Sequence, residues 1–223
     1  MKKLISLLLA IMLSVSLVSC GELEFYYYED NLSNKADDGA VTWSCDIRYP
    51  LFKGGCSDEI NAALDPYLRK YQTEAKDYQA EALNVYENIG AGCTFELDAE
   101  VIECAEGYVS VRFTSYEYLG GAHGGSSVFG VVFDEKSGDT VSAEELLGVS
   151  KDELNTLLRN ELTAMIEASP EMFYPDALEL IDTALFAMGT FYLEGTELVF
   201  TVPEYEIAPY VSGIQYVRIP IAS

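Results

Sequence analysis

Basic side chains are scarce in this chain. Its 223 residues include 13 lysines and arginines against 37 aspartates and glutamates, which leaves a net charge of −24 at neutral pH. A surface field of that sign repels nucleic acids and anionic lipid headgroups. We therefore exclude a nucleic-acid partner and expect either a basic partner or cations. The alternative interpretation is that the charge only keeps the protein soluble.

Catalytic and metal-binding signatures are also scarce. The only histidine is His123, and it lacks partners at the spacings that a metal cage or a nucleophile–base pair requires. The glycines around it do not form a phosphate-binding loop, because the lysine and the GxGxxG spacing are missing. No nucleophile-elbow motif surrounds Ser126 or Ser127. We therefore predict no catalytic residue, no bound metal and no cofactor, and hence a protein that is not an enzyme.

The long apolar run at the N-terminus is too short to span a membrane comfortably. Two lysines precede residues 4–18, a stretch of roughly 15 residues where a membrane helix needs about 20. This pattern is typical of a signal peptide over residues 1–19. Cys20 follows Leu-Val-Ser and precedes a glycine, which resembles the bacterial lipobox, so we predict lipidation of Cys20. The alternative is an ordinary secretory signal. We expect an extracytoplasmic lipoprotein of the cell envelope, held to the membrane through its lipid only.

Four cysteines remain besides Cys20, and the close pairs of a four-cysteine zinc site are absent. They are Cys45, Cys56, Cys93 and Cys104. An even number in an oxidising compartment predicts two disulfides. If residues 93–104 form one strand, its ends are too far apart for a bond that needs a Cα separation of about 5.5 Å. The links then join different elements, for example Cys45 with Cys104 and Cys56 with Cys93, but all three pairings remain open.

Hairpins alternate with helical segments along the chain. Strand-like runs occupy residues 41–49, 93–104, 108–119, 127–133, 190–193, 197–202 and 214–221. The order of strands and helices predicts an α+β fold, with a mostly antiparallel sheet and helices packed on it.

Helix signals are strongest in three places. Apolar residues recur at helical spacing over residues 60–82, and Ser57 can cap this helix. Pro66 interrupts the run, so we expect a kink or a restart there. Two capping boxes of the Ser-x-x-Glu type, at Ser142 and Ser150, predict the starts of two further helices.

Two segments carry candidate ligand-binding residues. The glycines of the first segment allow the backbone to pass close to another element. The prolines of the second fix the backbone that presents its tyrosines, which suits protein recognition. The candidates are Tyr118, Gly120, Gly121, His123, Pro203, Tyr205 and Tyr210. The alternatives are a structural histidine that locks the loop and a crossover with buried tyrosines.

Together these segments resemble a known family. The sequences YLGGAHG at 118–124, FD…SG at 133–138 and PEYEIAPY at 203–210 follow the pattern of the RsiV-like family. Its members include the extracytoplasmic domain of the anti-sigma-V factor RsiV and the N-terminal domain of the peptidoglycan deacetylase PdaC. The resemblance covers roughly residues 41–221. It implies a PdaC/RsiV-like two-part domain. We expect a signal peptide (1–19), a lipid-anchored tether (20–40), a PdaC-like N-terminal part (41–125) and an RsiV-like C-terminal part (126–223).

The resemblance also implies a function. The RsiV domain resembles a lysozyme receptor, and neither a deacetylase half nor an anti-sigma segment is expected here. We therefore expect a binding or sensor module without catalysis, with a basic envelope-active protein such as lysozyme as its partner. The alternative is a module that binds cell-wall glycan, that is, peptidoglycan. A third hypothesis, an uncharacterised hydrolase, requires His123 to pair with a serine and a carboxylate in a cleft.

Overall fold

The computed structural model describes residues 22–188 and 191–221, so the predicted signal peptide and Cys20 lie outside the described residues. The strands are β1 (Glu24–Lys35), β2 (Val41–Lys53), β3 (Cys93–Ile102), β4 (Tyr108–Tyr118), β5 (Gly125–Asp134), β6 (Phe191–Glu194), β7 (Glu197–Val202) and β8 (Gln215–Pro220). The helices are α1 (Ser57–Ile89), α2 (Ala143–Leu147), α3 (Lys151–Ala168) and α4 (Ile181–Ala187). The predicted α+β class is confirmed.

The first five strands form one sheet in sequence order. All neighbours are antiparallel except β2 and β3, which are parallel. A parallel pair needs a long crossover connection, and α1 supplies it. The helix covers one face of the sheet, where alternate residues of β2 and β3 are buried. These residues include Trp43, Ile47, Phe95 and Leu97.

Helix α1 differs from the prediction in two details. It passes through Pro66 without a restart and continues to Ile89. Pro66 removes one backbone N–H, but Leu64 before it and Tyr71 after it are both buried against the sheet, so packing holds the two halves together. Ser57 is the first helical residue rather than the cap, and the N-cap position is taken by Cys56.

The second part packs α3 against the three-stranded sheet β6-β7-β8. The buried residues of α3 recur at helical spacing and are Leu154, Leu158, Leu162 and Ile166. Both predicted capping boxes are confirmed. The hydroxyls of Ser142 and Ser150 accept hydrogen bonds from the backbone N–H groups of Glu145 and Glu153, whose carboxylates reach back to the N-cap residues.

Strand β5 joins the two parts, because its two faces belong to different cores. Val131 and Phe133 face the α1 core, whereas Val132 belongs to the core of the second part. Strand β6 lies so close that a Cβ added at Gly130 would be 2.4 Å from the Cβ of Tyr192. The hydroxyl of buried Ser110, on β4, accepts a hydrogen bond from the N–H of Leu193 at 2.9 Å.

Two strands extend the first sheet beyond the predicted PdaC-like part 41–125. Residues 126–134, assigned to the C-terminal part, complete the first sheet, because β5 pairs with β4 along its whole length. Residues 24–35, assigned to the tether, form strand β1, which pairs with β2 over its full length. The sequence predicts a tether here that ends at most in a short edge strand, whereas β1 has 12 residues. Both of its faces are largely exposed, so its residues do not alternate between apolar and polar.

The predicted disulfides are absent from the described residues. Cys45, Cys56, Cys93 and Cys104 are present as thiols. Cys45 and Cys93 lie on neighbouring strands, but Cys45 is opposite Phe95 and Cys93 is opposite Trp43. This two-residue offset places their Cα atoms about 8 Å apart, beyond the range that a disulfide tolerates. Burial raises the pKa of the Cys45 thiol to about 11, which also makes this thiol unreactive.

The other two cysteines lie in different surroundings. Cys56 donates from Sγ to the carbonyl oxygen of Glu135 at 3.2 Å. Cys104 pairs with Gly195 of the second part in an isolated β-bridge.

Candidate functional site

The glycine-rich loop between β4 and β5 presents His123 at the surface. Gly120 and Gly121 have φ values of +91° and +112°, which side-chain-bearing residues rarely adopt. A Cβ on Gly124 would lie 2.5 Å from both the carbonyl oxygen of Glu117 and the ring of Tyr116. The glycines are therefore required for the shape of the loop. It turns tightly at Gly120 and Gly121, and its backbone at Gly124 then lies against Tyr116 and Glu117 near the end of β4.

Tyr118, the last residue of β4, stabilises the loop that follows it. Its hydroxyl donates to the carbonyl oxygen of Gly121 at 3.0 Å. Of the candidates on this loop, Tyr118, Gly120 and Gly121 shape the turn, and His123 carries the exposed polar side chain.

The second segment follows β7 and is anchored through its centre. Ile207 and Ala208 are buried, and the carbonyl oxygen of Ile207 accepts a hydrogen bond from the N–H of Tyr174 at 3.0 Å. Tyr205 has 51% of its surface exposed and a φ of +70°. It is the only non-glycine residue with positive φ in the described ranges 22–188 and 191–221. Such backbone strain in a bulky residue is typical of functional sites.

The two segments meet in a cluster of three rings, His123, Tyr205 and Tyr210, which we call the ring cluster. The rings of His123 and Tyr210 stack with centroids 3.8 Å apart and planes 18° apart. The Tyr205 ring lies 6.1 Å from His123 and 5.9 Å from Tyr210, again nearly parallel. Three of the candidates predicted from distant parts of the sequence therefore form one surface.

Hydrogen bonds fix the tautomer of His123. Its Nδ1 lies 2.9 Å from the carbonyl oxygen of Gly124, which can only accept, so Nδ1 carries the proton. Nε2 lies 2.9 Å from the Tyr205 hydroxyl, which donates to it. Desolvation, and after it the charge of Glu204, raises the pKa of the Tyr205 hydroxyl. Both nitrogens of the imidazole are thus engaged.

Sequence reasoning missed two members of the site. The Glu204 carboxylate accepts a hydrogen bond from the N–H of Ser126 at 3.4 Å and ties the second segment to the first. Val211, next to Tyr210, exposes 89% of its surface. Neither residue has a distinctive sequence signal, because acids and isolated valines are common throughout the chain. Pro203, which was predicted, is exposed at the start of the segment, and its carbonyl oxygen accepts a hydrogen bond from the N–H of Glu206 at 3.4 Å.

Within residues 22–188 and 191–221, no group of three or more histidine, cysteine or acidic side chains could hold a metal ion. In the same part of the chain, no helix has the length and apolar character needed to cross a membrane.

Comparison with known protein families matches the two parts of the chain separately. A family model described as deacetylase PdaC matches residues 37–126, and a model described as protein of unknown function DUF3298 matches residues 146–222. The chain therefore combines a region similar to PdaC with a region similar to DUF3298, which we call the PdaC part and the DUF3298 part. The resemblance identified from the sequence is therefore confirmed. His123 lies in the PdaC part, and Tyr205 and Tyr210 lie in the DUF3298 part, so the ring cluster spans both.

Individual relatives agree with this organisation. Peptidoglycan-N-acetylmuramic acid deacetylase PdaC of Bacillus subtilis (strain 168) is 26% identical over 102 residues, which are 44% of this chain and 20% of that protein. The chain thus spans a fifth of the length of this curated relative.

Two crystal structures of DUF3298-family proteins share the fold of this chain. The protein from Bacteroides fragilis NCTC 9343 has a TM-score of 0.62 at 19% identity, over 90% of this chain and 91% of that one. The protein from Pseudomonas aeruginosa PAO1 has a TM-score of 0.57 at 19% identity, over 90% and 92% of the two chains.

The strain at Tyr205 leads to a prediction for the DUF3298 part. We expect Tyr205→Gly to be more stable than Tyr205→Ala by about 1 kcal/mol, because glycine adopts the left-handed backbone conformation without the steric cost of a Cβ. Tyr205→Ala itself should lose little stability, because the side chain is half exposed. Urea unfolding of both variants measures the difference. Equal stabilities would show that the backbone at 205 does not keep its positive φ in solution.

Proposed function

We propose that this protein is an extracytoplasmic binding or sensor module without catalysis, and that the ring cluster is its recognition surface. The observation that carries this proposal is the convergence of His123, Tyr205 and Tyr210 from two segments far apart in sequence. Rigid, half-exposed aromatic rings bury large contact areas at low entropic cost, which is the usual property of binding hot spots.

The partner that we favour is a basic envelope-active protein such as lysozyme. Glu204 and Glu206 flank Tyr205, and the whole chain carries a net charge of −24, which would steer a cationic protein to this surface. The stacked rings use much of their flat faces on one another. Their outward edges and hydroxyls are better suited to hydrogen bonds and side-chain contacts than to stacking on a sugar.

The alternative is a module that binds peptidoglycan glycan. The name of the Bacillus subtilis relative describes an enzyme that acts on peptidoglycan, and this chain resembles a fifth of it. In this alternative, Tyr205 and the exposed neighbours of the ring cluster contact the glycan.

The hydrolase hypothesis has less support. Both nitrogens of His123 are engaged, one by the Gly124 carbonyl and one by the Tyr205 hydroxyl. A Ser-His-acid triad needs a serine on one nitrogen and a carboxylate on the other. Among the described residues, the hydrogen bonds of His123 include neither.

Titration calorimetry with c-type lysozyme tests the favoured function, and sedimentation with purified peptidoglycan tests the alternative. We expect lysozyme binding that weakens as salt is raised from low to moderate concentration, because the steering field is screened. Absence of binding at both salt concentrations would remove lysozyme as the partner. Retention on peptidoglycan without lysozyme binding would favour the glycan module.

Location at the membrane is the other part of this proposal. We expect that Cys20→Ala releases the protein from the membrane fraction, because the thiol that carries the lipid is lost. Fractionation and immunoblotting of cells that produce either form measure this, and Cys104→Ala serves as the control because it removes a cysteine from the folded part. Unchanged membrane retention of Cys20→Ala would contradict lipid anchoring.

A further inference from the structure

The second part contains a cavity of 600 Å³ that is distant in sequence from the ring cluster residues. It lies where α2, α3 and α4 meet the first two strands of the second sheet. Its apolar lining consists of Ala143, Leu154, Leu158, Leu185, Phe186, Met188, Phe191 and Phe200. A cavity of this size easily accommodates a large apolar side chain.

Phe186 is a large apolar side chain that is exposed to solvent. It lines the rim of the cavity, yet 93% of its surface is exposed, more than for any other large apolar residue in the described ranges. Burying a phenylalanine side chain stabilises a structure by roughly 1.5–3 kcal/mol. An isolated copy therefore has both an unused apolar group and an apolar cavity on the same face.

The charges at the rim are balanced, unlike those of the chain as a whole. Glu144 and Asp182 line the cavity beside Lys151 and Arg159, and the Arg159 guanidinium donates to the Asp182 carboxylate. Over the whole chain, 37 aspartates and glutamates stand against 13 lysines and arginines. Two copies that each carry a charge of −24 repel one another, and contact is least costly where a patch has no net charge.

We propose that two copies of the chain associate through this face. In a two-fold symmetric contact the same patch meets itself, so the group that protrudes from one copy must fit a recess in the same patch of the other. Phe186 and the cavity satisfy this condition. Phe186 of each copy inserts into the cavity of its partner, and the two acids and two bases of each rim face an equally balanced rim.

Sedimentation velocity of the purified full chain, over a range of micromolar concentrations, tests this association. We expect a concentration-dependent dimer that Phe186→Glu converts to a monomer. At dilutions where the wild type is also monomeric, both proteins should melt at the same temperature, because 93% of the Phe186 surface is exposed in its own copy. The control is Leu83→Glu, which changes a residue of α1 that is 52% exposed and should leave the dimer intact. A monomer at every concentration, or a dimer that survives Phe186→Glu, would overturn the proposal.

Cross-linking locates the contact independently. A photoreactive amino acid at position 186 should attach to cavity residues such as Leu158 or Phe200. Mixing isotope-labelled with unlabelled protein distinguishes links between copies from links within one copy. Links within one copy only would contradict the proposal. So would a small amphipathic molecule that native mass spectrometry detects in the cavity of a monomer, because it would be the occupant instead.

Discussion

Gly130→Ala is expected to destabilise the protein strongly for so small a change. The added Cβ would lie 2.4 Å from the Cβ of Tyr192 and 2.9 Å from the carbonyl oxygen of Phe191, and neither can move without shifting β6. Overpacking of this kind costs about 1–3 kcal/mol. Each kcal/mol lowers the melting temperature of a protein of this size by roughly 2–4 °C. Thermal and urea unfolding measure the loss.

The same strand supplies the matched control. Gly125 also lies on β5, but a Cβ added there would have no atom within 4 Å. Gly125→Ala should be neutral or slightly stabilising, because alanine loses less chain entropy than glycine on folding. If both variants unfold alike, β6 does not lie against β5 as described, and the two parts are held together in another way.

His123→Ala is expected to have the largest effect on binding. The variant removes the ring on which Tyr210 stacks and the acceptor of the Tyr205 hydroxyl, so both tyrosines lose their fixed orientation. We expect the affinity for lysozyme to fall at least about 30-fold, as for a hot-spot residue. The melting temperature should change little, because His123 is exposed.

Two further variants show whether a loss of lysozyme affinity is specific to the ring cluster or follows from any surface substitution. Tyr205→Phe removes only the hydroxyl bond to His123 and should cause a smaller loss of affinity than His123→Ala. Leu83→Ala alters an exposed residue of α1 in the PdaC part and should cause none. Equal affinity of wild type and His123→Ala, measured by calorimetry, would place the lysozyme contact outside the ring cluster.

The elements that the sequence predicted well are those specified locally. Both capping boxes were confirmed because the Ser and Glu side chains bond only within one helical turn. The full length of strand β1 was not predicted, because an edge strand exposed on both faces has no apolar alternation to detect. The break expected at Pro66 did not occur, because packing on the sheet outweighs one lost hydrogen bond.

The candidate site was predicted residue by residue, but its assembly was not. His123 was predicted as a ligand-binding residue because it lies in a glycine-rich loop, and Tyr205 because it lies in a proline-flanked segment. Their spacing in the sequence cannot show that the two side chains are in contact. Their contact depends on how β6 and β7 pack against β5, which is a long-range property. The pairing of the cysteines stayed open for a similar reason, because a one-dimensional count of cysteines says nothing about their register across strands.

Hydrogen–deuterium exchange of the protein with and without lysozyme tests most directly whether the two parts form one recognition surface. We predict slowed exchange in residues 120–126 and 203–212 together, since one partner would cover both segments. Slowed exchange in only one of these segments, or only on the outer face of the first sheet, would contradict a shared site.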